Sequence, residues 1–202
     1  PRMEHCAACH VQDGSSMRGH WRERLMPGAR ELRVELGCGK GRFTVETARQ
    51  NPEVLFIAIE KVPDALVVAM ERAVEAELRN VFFVVGDAAL VPDYFAQDEV
   101  DLVYINFCDP WPPNGQAKRR LTHRGFLETY GKALRPGGQV HFKTDNAPLF
   151  AFSLHEFPAA GYALSEVSHN LHENGPQGVM TDYEAKFYSQ GIPIHRCVGT
   201  RL

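Results

Sequence analysis

Apolar and polar positions follow two rhythms along this chain. From residue 31 onward, short apolar runs at 32–36, 54–59, 81–85 and 100–107 alternate with stretches of helical spacing. The mostly apolar run at 100–107 predicts a strand buried on both faces of a parallel sheet, and the others predict further strands. Between them, one helix is expected from the glycine-rich loop at 37–41 to Asn51-Pro52. A second opens at Pro63-Asp64 and sets Leu66, Ala69, Met70 and Ala73 on one stripe. Strand alternating with helix through right-handed crossovers gives an α/β, doubly wound parallel sheet.

In the second half, Thr122 is the expected N-cap of a helix carrying Leu127, Tyr130 and Leu134, which Arg135-Pro-Gly-Gly138 stops. A strand at 139–143, a helix at 148–157, a strand at 162–168 and a polar loop at 170–179 follow. Thr181 to Glu184 opens a short helix in a spelling close to a capping box, and the last strand covers 194–198. Residues 1–30 lack periodicity, which predicts an irregular or poorly ordered N-terminal segment ahead of one domain over 31–202.

Composition narrows the class without naming a function. The chain has 202 residues, 44% hydrophobic and 23% charged, enough for one domain with a substantial core. No apolar run approaches the roughly 18 residues of a membrane span, so no membrane partner is expected. Five scattered cysteines and no signal-like start favour a reducing cytoplasm over structural disulfides. The first residue is Pro1 rather than methionine, so a basic tail upstream stays open. Cys6-Ala-Ala-Cys9-His10 spells a c-type haem attachment or half a zinc site, but export and a second ligand pair both lack support. No metal is expected.

Candidate chemistry gathers where strands should end. Gly37, Gly39 and Gly41 allow a tight turn and close approach of a ligand to the backbone. Glu35, two residues earlier, would repel a pyrophosphate but suits the cationic amino group of S-adenosylmethionine. Glu60, 19 residues past Gly41, stands where a carboxylate accepts ribose hydroxyls, and Asp87 is a candidate for the adenine amino group. After the fourth strand, Asp109 is followed by Trp111 and three prolines, with Lys118, Arg119 and Arg120 beyond. The motif could be a rigid turn. Its position at a strand's carboxyl end, and a basic segment containing Arg124, Lys132 and Arg135 but only one acid, Glu128, instead suggest a phosphate-bearing partner. Asp145, after the fifth strand, is a second candidate for reading a base edge.

Six motifs carry a resemblance. They are Glu35-Leu-Gly-Cys-Gly-Lys-Gly41, Phe56-Ile-Ala-Ile-Glu60, Asn106-Phe-Cys-Asp-Pro-Trp-Pro112, Lys118-Arg-Arg-Leu121, His141-Phe-Lys-Thr-Asp145 and Thr181-Asp-Tyr-Glu184. Together they resemble the bacterial TrmB family, tRNA (guanine-N7-)-methyltransferases, from about Glu31 to the C-terminus. The resemblance implies a Rossmann-like class I S-adenosylmethionine-dependent methyltransferase fold with a mostly parallel seven-stranded sheet. It also implies donor binding by Glu35, Glu60, Asp87 and Asp109, with Asp109 in the catalytic position and S-adenosylhomocysteine as product. Asp145 and Thr181, Asp182, Tyr183 and Glu184 would contact guanine or RNA, in a tRNA variable loop. The family usually has a lysine two residues after the tryptophan, where this chain has Pro113. Either Lys118 or a neighbouring arginine takes over that contact, or RNA binding is weaker. Trp111 and Tyr183 are stacking candidates. A monomer and a homodimer are equally compatible with the sequence.

Overall fold

The computed structural model describes residues 1–112 and 114–202. In chain order the elements are α1 (Trp21–Leu25), β1 (Glu31–Leu36), α2 (Arg42–Gln50), β2 (Val54–Glu60), α3 (Pro63–Glu75), β3 (Val81–Val85) and α4 (Val91–Tyr94). There follow β4 (Val100–Asn106), α5 (Arg124–Ala133), β5 (Leu134–Thr144), α6 (Ala147–Ala159), β6 (Tyr162–Ser168), α7 (Asp182–Ser189) and β7 (His195–Arg201). The seven strands form one sheet in the order β3-β2-β1-β4-β5-β7-β6. All pairings are parallel except those of β7, which runs antiparallel to both β5 and β6. The strand order reverses direction between β1 and β4, which makes their carboxyl ends the natural ligand crevice.

Alternating side chains supply two cores, one per face. Leu32, Val34, Leu36, Leu55, Ile57 and Ile59 pack with α4, α5 and α6 on one side. Val54, Phe56 and Ala58 meet Phe43 and Ala48 of α2 and the Leu66, Ala69, Met70 and Ala73 stripe of α3 on the other. Every residue of β2 is buried, as its unbroken apolar run requires.

Two local expectations at the ends of α5 are corrected, and the N-terminal segment makes contacts of its own. Residues 1–30 contain two 3-10 turns besides α1, and Trp21 is fully buried with its indole N–H donating to the Tyr94 carbonyl at 2.7 Å. Five residues cannot hold a helix alone, but burying a large apolar side chain contributes on the order of 2–3 kcal/mol, enough to pin it. Val11 N–H also donates to Phe83 O and Phe83 N–H to Cys9 O, so this segment pairs with the free edge of β3. Cys6 and Cys9 sit inside the adjoining apolar cluster, where burial pushes the Cys9 thiol up to about 11. The cap of α5 is His123, whose Nδ1 accepts Gly125 N–H, while Thr122 is buried against Ser153 at 2.6 Å. Finally, Arg135-Pro-Gly-Gly138 does not separate helix from strand: β5 begins at Leu134 and passes through it with a register shift.

Candidate functional site

At the carboxyl end of β1 the carboxylate of Glu35 is 3% exposed and held from two sides. Thr44 of α2 donates its hydroxyl, and Asn106 of β4 donates Nδ2 at 3.2 Å, bridging the strands at the switch point. Burial pushes the Glu35 carboxyl up to about 7, against the opposing pull of those donors and of Lys143. A carboxylate so placed is completed by a cation. Just beyond it, Gly37, Gly39 and Gly41 all have positive φ, at +77°, +55° and +82°. A Cβ at Gly41 would come within 2.5 Å of Ala69, so only glycine lets α2 pack on α3 there. At Gly37 and Gly39 a Cβ would meet nothing within 4 Å, which leaves an open cradle above the sheet.

Glu60 closes the cradle from β2. Its carboxylate accepts Gly39 N–H at 2.8 Å and Val62 N–H at 3.1 Å, leaving lone pairs for further donors. Asp87 is exposed after β3 and spends one oxygen on Ala89 N–H at 2.7 Å. A buried acid for an ammonium, a carboxylate beside an open glycine loop and a third acid on the next strand fit S-adenosylmethionine. Glu60→Ala removes a charged acceptor and is expected to raise the donor Kd about tenfold or more, measured by calorimetry. An unchanged Kd would remove Glu60 from the donor site.

Asp109 follows β4 and is exposed, with Lys61 of the β2 end 4.0 Å away across the end of β1. Its loop is strained: Phe107 and Trp111, both bulky, have φ of +55° and +44°. Such conformations cost about 1–3 kcal/mol each and persist where surrounding structure imposes them. Here Arg120 imposes one of them. Its guanidinium is buried, donates to the carbonyls of Pro110 and Trp111 at 2.9 and 3.2 Å, and lies over the Phe152 ring at 4.5 Å. Arg120, expected as a phosphate contact, is therefore placed as a brace of the Asp109 loop. Arg119 lies 3.8 Å over the Trp111 ring, and Lys118 is exposed. Pro113 lies outside the described residues.

The rest of the basic segment disperses. Arg124 pairs with Glu156 of α6 at 2.7 Å, and Arg135 pairs with Asp101 near the start of β4. Asp145 is half-buried after β5, near enough for its charge to bear on His195. Thr181 caps α7, its hydroxyl accepting Glu184 N–H at 2.9 Å. The capping box is only half formed, because Glu184 turns inward: it is wholly buried and bonded to Lys143 and His172, each at 2.6 Å. Glu184, expected to face the substrate, is thus tied to the interior from both carboxylate oxygens. Asp182 is clasped by Arg72 at 3.2 Å and Arg42 at 3.8 Å, whereas Tyr183 is 65% exposed. Sequence reasoning missed Thr44, Lys143, His172, Arg42 and Arg72. Lys143 lies inside a quoted motif, but the others carry no spacing signal.

Comparison with known proteins agrees with this geometry. A family model described as "Putative methyltransferase" matches residues 29–197. A tRNA (guanine-N(7)-)-methyltransferase of Clostridioides difficile is 44% identical over 186 residues, covering 92% of this chain and 86% of that protein. One of the same description from Halalkalibacterium halodurans is also 44% identical, covering 93% and 85%. Among solved structures, the 16S rRNA methyltransferase KamB superposes with TM-score 0.68 at 18% identity, covering 89% of this chain and 91% of that one. A geranyl diphosphate methyltransferase, described in complex with sinefungin, superposes with TM-score 0.58 at 14% identity, covering 89% and 74%. Likeness at that identity establishes the Rossmann-like methyltransferase fold alone. The sequence relationship is closer and spans nine-tenths of the chain: the protein belongs to the family of tRNA (guanine-N(7)-)-methyltransferases.

Proposed function

We propose that the protein methylates N7 of a guanosine in the variable loop of tRNA. The reading rests on Asp109, an exposed carboxylate on a strained, braced loop at the switch point, next to a cradle that fits the methyl donor. When bound, S-adenosylmethionine supplies an electrophilic methyl on a sulfonium and departs as neutral S-adenosylhomocysteine. Guanine N7 has a free lone pair, so no base need remove a proton before attack. The residues have an alignment task, and proximity of that kind supplies several kcal/mol in favourable cases, up to about 7–11. Asp109 accepts from guanine N1–H and its exocyclic amine, turns N7 toward the methyl, and favours the cationic methylguanine that forms. Trp111 and Tyr183 offer faces for an unstacked base, and Asp145 a further edge contact. Glu35 holds the donor's ammonium and Glu60 its ribose, with Asp87 at the adenine.

Lys118 and Arg119 are the residues of the basic run left to meet phosphate. Lys118→Ala is expected to lower the slope of log affinity against log salt by about 0.7–0.9, measured with unmodified tRNA. An unchanged slope would mean that Lys118 contacts no phosphate. No described helix is long and apolar enough to cross a membrane. The protein acts on tRNA in the cytoplasm, as a monomer or homodimer.

The direct test is methyl transfer from labelled donor to unmodified tRNA, followed by nucleoside analysis. N7-methylguanosine mapped to the variable loop is the expected product. Label in another nucleoside, or none with donor binding intact, would overturn the reading.

A further inference from the structure

We infer that His172, Lys143 and Glu184 form a buried positioning network that presents Tyr183 to the substrate. The inference rests on the reading of Thr181 to Glu184 as the tRNA-facing segment. It assigns Glu184 a role inside the fold and brings in His172, which no motif singled out.

Hydrogen bonding defines the network's protonation. Gln177 N–H donates to His172 Nδ1 at 3.0 Å, so that nitrogen carries no hydrogen. The imidazole is therefore neutral, with its proton on Nε2, and donates to Glu184 Oε2 at 2.6 Å. Glu184 Oε1 accepts from Lys143 Nζ at 2.6 Å, and the same ammonium donates to Val179 O at 3.0 Å. Both oxygens of a carboxylate with no exposure thus have partners, and its charge is balanced. A buried pair of this kind adds little net stability compared with an apolar substitute. Its effect is to select one arrangement.

That arrangement concerns a segment with little structure of its own. Between β6 and α7 the chain forms no helix or strand, yet residues 172, 177 and 179 are all tied to the Glu184–Lys143 pair. The His172 ring also stands edge-on to Tyr188 of α7, 5.3 Å between centroids. On the other side of Tyr183, Asp182 is clasped to α2 and α3 by Arg42 and Arg72. Successive helix positions point about 100° apart. With Glu184 fixed inward and Asp182 fixed sideways, Tyr183 has only the solvent side left, and its 65% exposure follows. An exposed aromatic anchored on both flanks is a preorganised stacking face, and preorganisation lowers the entropy cost of gripping a base.

The test is a double-mutant cycle between His172 and Tyr183 in the full chain, with unmodified tRNA. H172A is expected to raise the tRNA KM about tenfold, with kcat at saturating tRNA within threefold and donor Kd within twofold of wild type. H172Q, whose amide N–H can still reach Glu184, should recover most of the KM. In a Y183A background the H172A penalty on KM should vanish, because there is no face left to present. Additive penalties, or donor affinity falling in step with tRNA KM, would overturn the inference in favour of a merely structural role. If H172A does not fold, H172N replaces it in the cycle, since its shorter amide keeps polarity but cannot span the gap. Failure of the wild type to methylate tRNA would instead defeat the functional reading itself.

Discussion

Asp109→Ala is expected to cut the rate of methyl transfer by about 10²–10³ in single-turnover experiments at saturating donor and tRNA, with the melting temperature unchanged. The two halves have separate physical grounds. Asp109 is exposed, and its ion-pair neighbour among the described residues, Lys61, is equally exposed at 4.0 Å. Pairs in that setting contribute next to nothing to folding, so truncation leaves the fold intact. On the proposed function, the same openness leaves the carboxylate free to meet guanine. Losing it removes both the anchor that turns N7 toward the methyl and the negative charge facing the nascent cation. Asp109→Asn keeps one acceptor without the charge and should fall between alanine and wild type. Near wild-type turnover of the alanine variant would end the catalytic assignment.

Glu35→Gln should separate stability from function in opposite directions. Burial raises the Glu35 carboxyl from the ordinary 4.5 to about 7 in the folded protein. A folded-state value above the unfolded one means the native state holds the proton more tightly. The resulting stability is full below about pH 4.5, is lost as pH rises toward 7, and is gone above it. At pH 8 the buried charge therefore weighs against folding by roughly 3 kcal/mol, before any ligand arrives. Glutamine removes that charge, and it can still accept from Asn106 while donating to the Thr44 hydroxyl. A melting temperature at pH 8 several degrees above wild type, with little gain at pH 5, is the expected scan. Donor affinity should move the other way. An ammonium beside Glu35 favours the ionised form, so wild-type binding should tighten between pH 6 and 7.5 and release a proton. The variant should bind the donor at least tenfold more weakly and lose that pH dependence. Calorimetry in two buffers of different ionisation heat measures both, and wild-type affinity in the variant at pH 8 would remove Glu35 from the donor site.

Much of this was legible because local patterns here agree with the global fold. The runs over 32–36, 54–59 and 81–85 read as strands and each became one, the last two sending apolar side chains into both cores. The boundaries that slipped did so where tertiary contacts outweighed local preference. Thr122 has a good capping side chain, but Ser153 of α6 claims its hydroxyl and leaves the cap to His123. Trp21 lies in a stretch with no periodicity, and a single buried indole was enough to order it.

The site divides along the same line. Residue type and spacing placed Glu35, Glu60, Asp87 and Asp109 at the ends of β1 to β4, because strand length and the βα repeat are local properties. Spacing says nothing of which way a long side chain turns. Lys118, Arg119 and Arg120 read alike as a basic run, yet two are exposed, one of them over the Trp111 ring, and the third is buried against two carbonyls. In Thr181-Asp-Tyr-Glu184, similarly, only the packing of α7 on β5 sends Glu184 to Lys143 and leaves Tyr183 outside. Pattern determined the sheet, its acidic edge and the family. Which polar groups face the substrate and which brace the ones that do was decided by long-range packing, since burying a charge is tolerated only where the fold brings its partner.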